Sequence, residues 1–434
     1  MSLVNKKTTV WHSFAMLAAS VLIGATLSWA QPTYTVLHNL LSPGAQGGLT
    51  FDTNGNLYGA AKGSPGPLAN GTVFELRHSK SGSWTWKLLY RFLGGSDGRE
   101  PFPVIFDSAG NLRGTTLGGG TSYCPYSNRI QTCGTVFELN PTPKGQWTKK
   151  ILYSFTGSNN GGNDAANPSS GLIADDAGNL YGETTLGMGH GTVFALRPGP
   201  DGTWTETVLY RFTGGADGWS PSGGLSIGPA GNLYGTTSHG GDSTNCPLGC
   251  GTVFELSPGP TGDWTFKTLY AFCSSSGCPD GAIPLGGMAL DSKGNLFGTT
   301  SAGGIAPCWW RDLGCGTAYK LVPETGRFRL LHSFCPEAYC LDGAGPSSGL
   351  VPDGAGGFYG ETVVGGNRNQ GTVFRLSRDA LGHWNVESLY SFCALDACAD
   401  GGEPSGGVTL DSAGNIYGTT QIGHGYGVIF QIIP

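Results

Sequence analysis

Short segments rich in Val, Thr, Tyr, Phe and Trp recur along the chain, each bounded by Gly, Pro, Asn or Asp. β-Branched and aromatic residues suit a pleated, half-buried surface and the bounding residues suit turns, so the pattern predicts strands rather than helices. Three phrases fix the period. Gly-Asn-Leu-Tyr-Gly begins at Gly55, Gly110, Gly178, Gly231, Gly294, Gly356 and Gly414; Arg113 and Phe297 replace its Tyr, and Gly357-Phe358 replaces Asn-Leu. Gly-Thr-Val-Phe, or a close variant, begins at Gly71, Gly134, Gly191, Gly251, Gly316, Gly371 and Gly427. Leu-Tyr-x-Phe falls at Leu89, Leu152, Leu209, Leu269, Leu331 and Leu389, with a worn copy at Leu37. Seven units of about 60 residues result.

Each unit reads as four short strands. Strand A is the Gly-Leu-x-x-Asp segment (Gly48 to Asp52), B is Asn-Leu-Tyr-Gly-Thr-Thr, C is Gly-Thr-Val-Phe-Glu-Leu, and D runs from a Trp-Thr pair to Leu-Tyr-x-Phe. Such units arranged about an axis make a β-propeller; stacked linearly they make a solenoid. The ends of the repeat array separate the two. Tyr34 to Leu40 is a D-type strand with nothing before it, and Gly427 to Phe430 is a C-type strand with no D after it. The expected fold is an all-β, seven-bladed propeller of four antiparallel strands per blade, its last blade completed by the N-terminal strand (one plus three).

The phrases Asp-x-x-Gly-Asn-Leu-Tyr-Gly-Thr-Thr and Gly-Thr-Val-Phe-Glu-Leu resemble those of the GloVer-type tandem repeat proteins, which are exported bacterial proteins. The resemblance covers nearly all of residues 31–434. It implies export and a repeat fold, and it brings no established activity. Some members carry a C-terminal surface anchor, and the ending Ile432-Ile433-Pro434 shows no such signal.

Composition supports this reading. Of 434 residues 76 are Gly, more than twice the roughly 7% of average usage, and only 12% are charged. Glycine has no G-x-y period, which excludes collagen. Formal charge is −6, without any basic run, so nucleic acid and anionic membranes are poor partners. Lys6 and Lys7, the apolar stretch from Phe14 to Leu27 and Ser28-Trp29-Ala30 read as a secretory leader over residues 1–30, cleaved before Gln31. At 14 residues the stretch is short of the ~20 that span a bilayer. Residues 31–434 are then one domain, expected to be secreted or periplasmic.

The twelve Cys fall into six local pairs: Cys124 with Cys133, Cys246 with Cys250, Cys273 with Cys278, Cys308 with Cys315, Cys335 with Cys340, and Cys393 with Cys398. Export favours disulfides; zinc is the rival, but no pair has C-x-x-C spacing or an adjacent His. The first, second and fourth pairs lie between strands B and C, the others between D and the next A. Antiparallel strands put those connections at one end of every blade, so the bridges decorate one face. B–C connections reach 17 residues there, in the second unit. Irregular loops on a rigid scaffold are where binding residues concentrate.

Residues that occur in most units serve the fold, and singular ones on this face are candidates for a ligand. The Asp-Gly pairs at Asp97, Asp217, Asp280, Asp342 and Asp400 are therefore read as structural, with repeated ligand sites as the alternative. The most singular segment is Cys308-Trp309-Trp310-Arg311-Asp312-Leu313-Gly314-Cys315. Trp309 and Trp310 offer flat apolar surface to a sugar ring, Arg311 and Asp312 offer bonds to its hydroxyls, and packing on a neighbouring loop is the alternative. Trp219 is a second aromatic on this face, with Tyr123 and Tyr126 as weaker versions. Among catalytic candidates, Glu183 and Glu361 replace a Thr of strand B, and His190, His239 and His424 lie in B–C loops; His190 and His239 belong to adjacent units. Glu100 and Glu403 stand out in D–A loops, and Arg113 is either packed between blades or turned to the axis.

No nucleophile elbow, Walker loop or zinc-protease motif occurs. The leading expectation is therefore glycan or cell-surface polymer binding through the bridged face. A polysaccharide lyase or glycosidase at the axis, built from Glu183, His190, His239, Arg311 and Glu361, is the alternative, and a protein-interaction scaffold is the third. A monomer without cofactor or metal is expected.

Overall fold

A computed structural model describes residues 31–40, 48–63, 68–124, 132–157, 164–185, 189–305, 308, 313–337, 339–423 and 425–434. The expected leader lies outside them. The described residues form seven antiparallel sheets arranged as a seven-bladed β-propeller, without an α-helix. No helix among them is long and apolar enough to cross a membrane.

Blade 4 shows the pattern: Ser226–Ile227 is strand A, Leu233–His239 is B, Thr252–Pro258 is C and Trp264–Ala271 is D. The repeated phrases owe their composition to packing. In strand B the second Gly of Gly-Asn-Leu-Tyr-Gly lies under the Phe of the neighbouring strand C. A Cβ on Gly59, Gly182, Gly235 or Gly418 would come within 2.6 Å of the ring carbon Cζ of Phe74, Phe194, Phe254 or Phe430. That Phe is buried in each blade that has it, and Tyr319 takes its place in blade 5. Ahead of strand B, Asp52 Oδ1 accepts the N–H groups of Asn54 and Asn56, both at 2.8 Å, and Gly55 takes φ 81°. The Asp thus closes the turn through its own side chain, and Gly supplies the backbone that other residues avoid.

Strand A departs from expectation. In blades 2, 4, 6 and 7 it is two pieces parted by a kink instead of one segment: in blade 4, Trp219–Pro221 pairs with the end of strand B, and Ser226–Ile227 pairs with its start. The first piece reads residue-x-Pro (Arg99-Glu100-Pro101, Trp219-Ser220-Pro221, Gly402-Glu403-Pro404), and its middle residue is left-handed, with φ 54°, 60° and 53°. The kink follows the Pro, where small residues such as Ser222-Gly223-Gly224 turn the chain along the axis.

Strand Thr33–Asn39 pairs antiparallel with Val428–Ile433, from Thr33 opposite Ile433 to Asn39 opposite Val428. The seventh sheet thereby receives its fourth strand from the beginning of the domain. Phe51 of blade 1 packs edge-on against Tyr417 of blade 7, 5.1 Å between centroids.

Candidate functional site

All six local cysteine pairs are disulfides: Cys124 with Cys133, Cys246 with Cys250, Cys273 with Cys278, Cys308 with Cys315, Cys335 with Cys340, and Cys393 with Cys398. No described cysteine is free. This removes the zinc alternative, because a bridged sulfur is not a thiolate ligand. The bridges are not surface decoration, however. Cys124 and Cys133 are fully buried and belong to the apolar core that holds Phe155 and Phe194. Cys398 is half-buried and ends a short 3₁₀ turn, Asp396–Cys398, with its backbone left-handed at φ 52°. A disulfide is apolar, so it fills the space beneath a loop while the loop's polar residues face water. The sulfurs of Cys246, Cys250, Cys273 and Cys278, from neighbouring loops, lie within 4.8 Å of one another. Six disulfides point to an oxidising compartment.

The Asp of each Asp-Gly pair ties strand D to the D–A turn. Asp217 accepts Tyr210 O–H at 3.0 Å and Thr213 N–H at 2.7 Å; Asp280 accepts Tyr270 O–H at 2.7 Å and Cys273 N–H at 3.0 Å. Asp97 and Asp400 likewise accept the O–H of Tyr90 and Tyr390, and His332 takes the Tyr place opposite Asp342. These carboxylates hold the fold, as their repetition suggested.

One singular cluster stands on the bridged face. Trp219 lies directly opposite His239 in the strand pairing, and their rings are 5.2 Å apart. His190, from the B–C loop of blade 3, approaches the same indole at 5.7 Å and 89°. Two imidazoles from adjacent blades therefore lie against one half-buried tryptophan. Ser238 Oγ and Nδ1 of His239 share a hydrogen bond of 2.8 Å, and burial lowers the His239 pKa, favouring the neutral ring. His190 Nδ1 is buried without a hydrogen-bond partner. Below the indole, Ser220 donates its N–H to the His190 carbonyl at 3.0 Å, fixing blade 4 to blade 3.

Three residues beyond Trp219 the chain reaches the axis. There the kinks of all seven blades line a cavity of about 380 Å³, with Gly48, Pro103, Gly171, Ser222, Gly286, Ser348 and Ser405 on its wall. The wall is neutral and small because the kinks crowd one another: a Cβ on Gly286 would be 2.3 Å from the Ser348 carbonyl carbon.

Glu183 and Glu361 are fully buried beside this wall. Glu183 accepts Gly224 N–H at 2.9 Å, and Glu361 accepts Gly407 N–H at 2.6 Å, each reaching from its blade to the kink of the next. Thr115, Thr236 and Thr299 hold the same place in other blades and donate to kink carbonyls instead. Burial raises both carboxyls to about 7. They belong to blades 3 and 6; Glu183 shares its blade with His190, while Glu361 stands apart from both histidines.

Trp309, Trp310, Arg311 and Asp312 lie outside the described residues, as do Tyr126 and His424. Tyr123 is exposed. Arg113 is packed between blades: it pairs with Asp107 and Glu138 at 2.8 and 2.9 Å and covers the Trp204 ring. Glu100 and Glu403 are the left-handed middle residues of the residue-x-Pro pieces.

No curated protein sequence matches the chain. Among solved structures, a streptogramin B lyase is similar at 14% identity and TM-score 0.56, over 93% of this chain and 98% of that one. A catalytically inactive virginiamycin B lyase from Staphylococcus aureus, solved with quinupristin, gives 13% and 0.54 over 93% and 100%. PorZ, a surface component of the type-IX secretion system of Porphyromonas gingivalis, gives 14% and 0.51 over 91% of this chain and 48% of its own. At such identities the likeness is one of fold. The sequence profile of the Gloeobacter/Verrucomicrobia repeat matches residues 125–307 and 311–434, most of the propeller. Because that match spans well over half of the sequence, this chain belongs to the Gloeobacter/Verrucomicrobia repeat family.

Proposed function

We propose that the protein is exported and binds a glycan or similar cell-surface polymer through its bridged face, with Trp219 as the stacking platform. The observation that carries this reading is the half-buried indole that meets both His190 and His239 on the bridged face, three residues from the wall of the axial cavity. An aromatic face takes the apolar side of a sugar ring, and the imidazoles and Ser238 offer donors and acceptors to its hydroxyls. Trp309, Trp310, Arg311 and Asp312 belong to the same proposal as a second contact. Binding to a glycan array and to insoluble polysaccharides tests it. Trp219→Ala is expected to weaken binding at least tenfold, and Trp309→Ala with Trp310→Ala to weaken it further. A wild-type protein that binds no glycan, or a Trp219→Ala variant that binds as well as wild type, overturns the reading.

A lyase is the second reading. It draws on His190 and His239, two imidazoles that meet one indole, and on the propeller fold shared with streptogramin B and virginiamycin B lyases. Incubation with acidic and neutral polysaccharides, followed by absorbance of unsaturated products, separates it from pure binding.

A further inference from the structure

At the outer edge of the ring, one register position of strand D faces the preceding blade. It is the residue opposite the Leu that ends the strand C phrase: Lys149 opposite Leu139, Glu206 opposite Leu196, Phe266 opposite Leu256, Phe328 opposite Leu321. Phe266 and Phe328 stack on Tyr210 and Tyr270, with centroids 3.8 and 4.4 Å apart. Lys149 instead forms an ion pair with Asp97, the carboxylate of the D–A turn, and lies over the Tyr90 ring. Glu206 holds the same position against Asp164, with its charge reversed.

Asp164 is 6% exposed. Its Oδ2 accepts Thr156 N–H at 2.6 Å, Thr156 O–H at 2.7 Å and Tyr153 O–H at 3.1 Å, whereas Oδ1 is buried without a partner. Glu206 is anchored beside it by Ala165 N–H, and its Oε1 is likewise buried without a partner. Burial and the neighbouring Asp164 push Glu206 up to about 8, against the opposing pull of Ala165 N–H and the Arg211 guanidinium. Two acid side chains thus hold the strand and turn positions that, one blade earlier, hold an ammonium group and its carboxylate partner.

We propose that Asp164 Oδ1 and Glu206 Oε1 form a buried site for a hard divalent cation between blades 2 and 3, where Lys149 Nζ sits between blades 1 and 2. Carboxylate oxygens select hard ions, and calcium tolerates an irregular shell completed by carbonyls and water. A site with two carboxylates falls in the weak range of extracellular modules, about 0.1–1 mM.

The test uses the full chain, stripped with chelator and titrated with calcium chloride at pH 7.5, reading the thermal midpoint and terbium luminescence sensitised by Tyr153. A saturable rise of a few degrees, half-complete between about 0.1 and 1 mM, and terbium emission that calcium displaces are expected. Glu206→Gln should lose both responses. Glu206→Lys recreates the Lys149–Asp97 pair and should melt at or above the calcium-loaded wild type, whether or not calcium is present. A wild-type midpoint indifferent to calcium overturns the proposal, as does a Glu206→Gln variant that responds like wild type. Stabilisation at pH 6 without any calcium response also overturns it, assigning the position to a shared proton instead.

Discussion

Ser220, at φ 60°, donates its backbone N–H to the carbonyl of His190 in the preceding blade at 3.0 Å. The same left-handed donor recurs: Glu100 bonds Asn70, Ile283 bonds Cys250 and Glu403 bonds Gln370, at 2.8–2.9 Å. Adjacent blades are thus stapled through residues other than Gly, whose Cβ makes this conformation cost about 1–2 kcal/mol. Glu403→Gly should leave stability unchanged or raise it, whereas Glu403→Val should lower it by about 1–3 kcal/mol. Urea unfolding of the two variants checks the sign; a glycine variant less stable than the valine one would refute the staple.

The buried carboxyls make stability depend on pH. Glu183 and Glu361 titrate near 7 in the folded protein and near 4.5 when unfolded. Between those values the folded state holds more protons, so stability falls as pH rises through the window and stays lower above it. The loss is roughly 3 kcal/mol per carboxyl at most. Glu183→Gln and Glu361→Gln should each flatten the profile between pH 5 and pH 8, measured by denaturant midpoint. An unchanged slope in the double variant would show that these groups do not titrate there.

Gly235 explains why its phrase tolerates no side chain. A Cβ there would stand 2.5 Å from Phe254 Cζ and 2.9 Å from Glu183 Oε1. Gly235→Ala should destabilise by about 1–3 kcal/mol through overpacking. Adding Phe254→Leu should recover part of the loss, a coupling that a double-mutant cycle reads directly.

Each bridge closes a short loop, with cysteines four to nine residues apart. Replacing both Cys308 and Cys315 with Ser should cost about 2–3 kcal/mol. The loss of binding should exceed what a control stability variant such as Gly235→Ala shows, because the bridge frames the Trp309–Asp312 segment. Equal losses would mean that the bridge serves only the fold.

The blade pattern and the disulfide pairing were legible because each repeats locally: a Gly under a Phe, a Cys a few residues from its partner. The burial of Cys133 beneath its loop was not, since it depends on how Phe155 and Phe194 pack from two blades. Strand A was only half legible. Its two-residue pairs are too short to show alternation, and the residue-x-Pro piece hides a left-handed residue that Ser, Glu or Ile does not announce. Trp219 stands out in the sequence, but its contacts with His190 and His239 depend on a strand pairing across a kink and on a contact between blades. Glu206 went unnoticed for a different reason. Glutamate is ordinary on an exposed strand, and only alignment with Lys149 at the same register shows that it faces Asp164.

The pairing of Thr33–Asn39 with Val428–Ile433 has a consequence for biosynthesis. The segment that leaves the ribosome near the start of the domain has its partner strand at the far end of the same domain. Six sheets can assemble from neighbouring sequence as the chain grows, while the seventh must wait for Val428–Ile433 to be made and then join strands separated by almost the whole propeller, a step slowed by loop-closure entropy. Synthesis of Val428–Ile433 should therefore govern when this propeller becomes resistant to protease, and the outermost strand of its last sheet is the one that a growing chain must keep unpaired the longest.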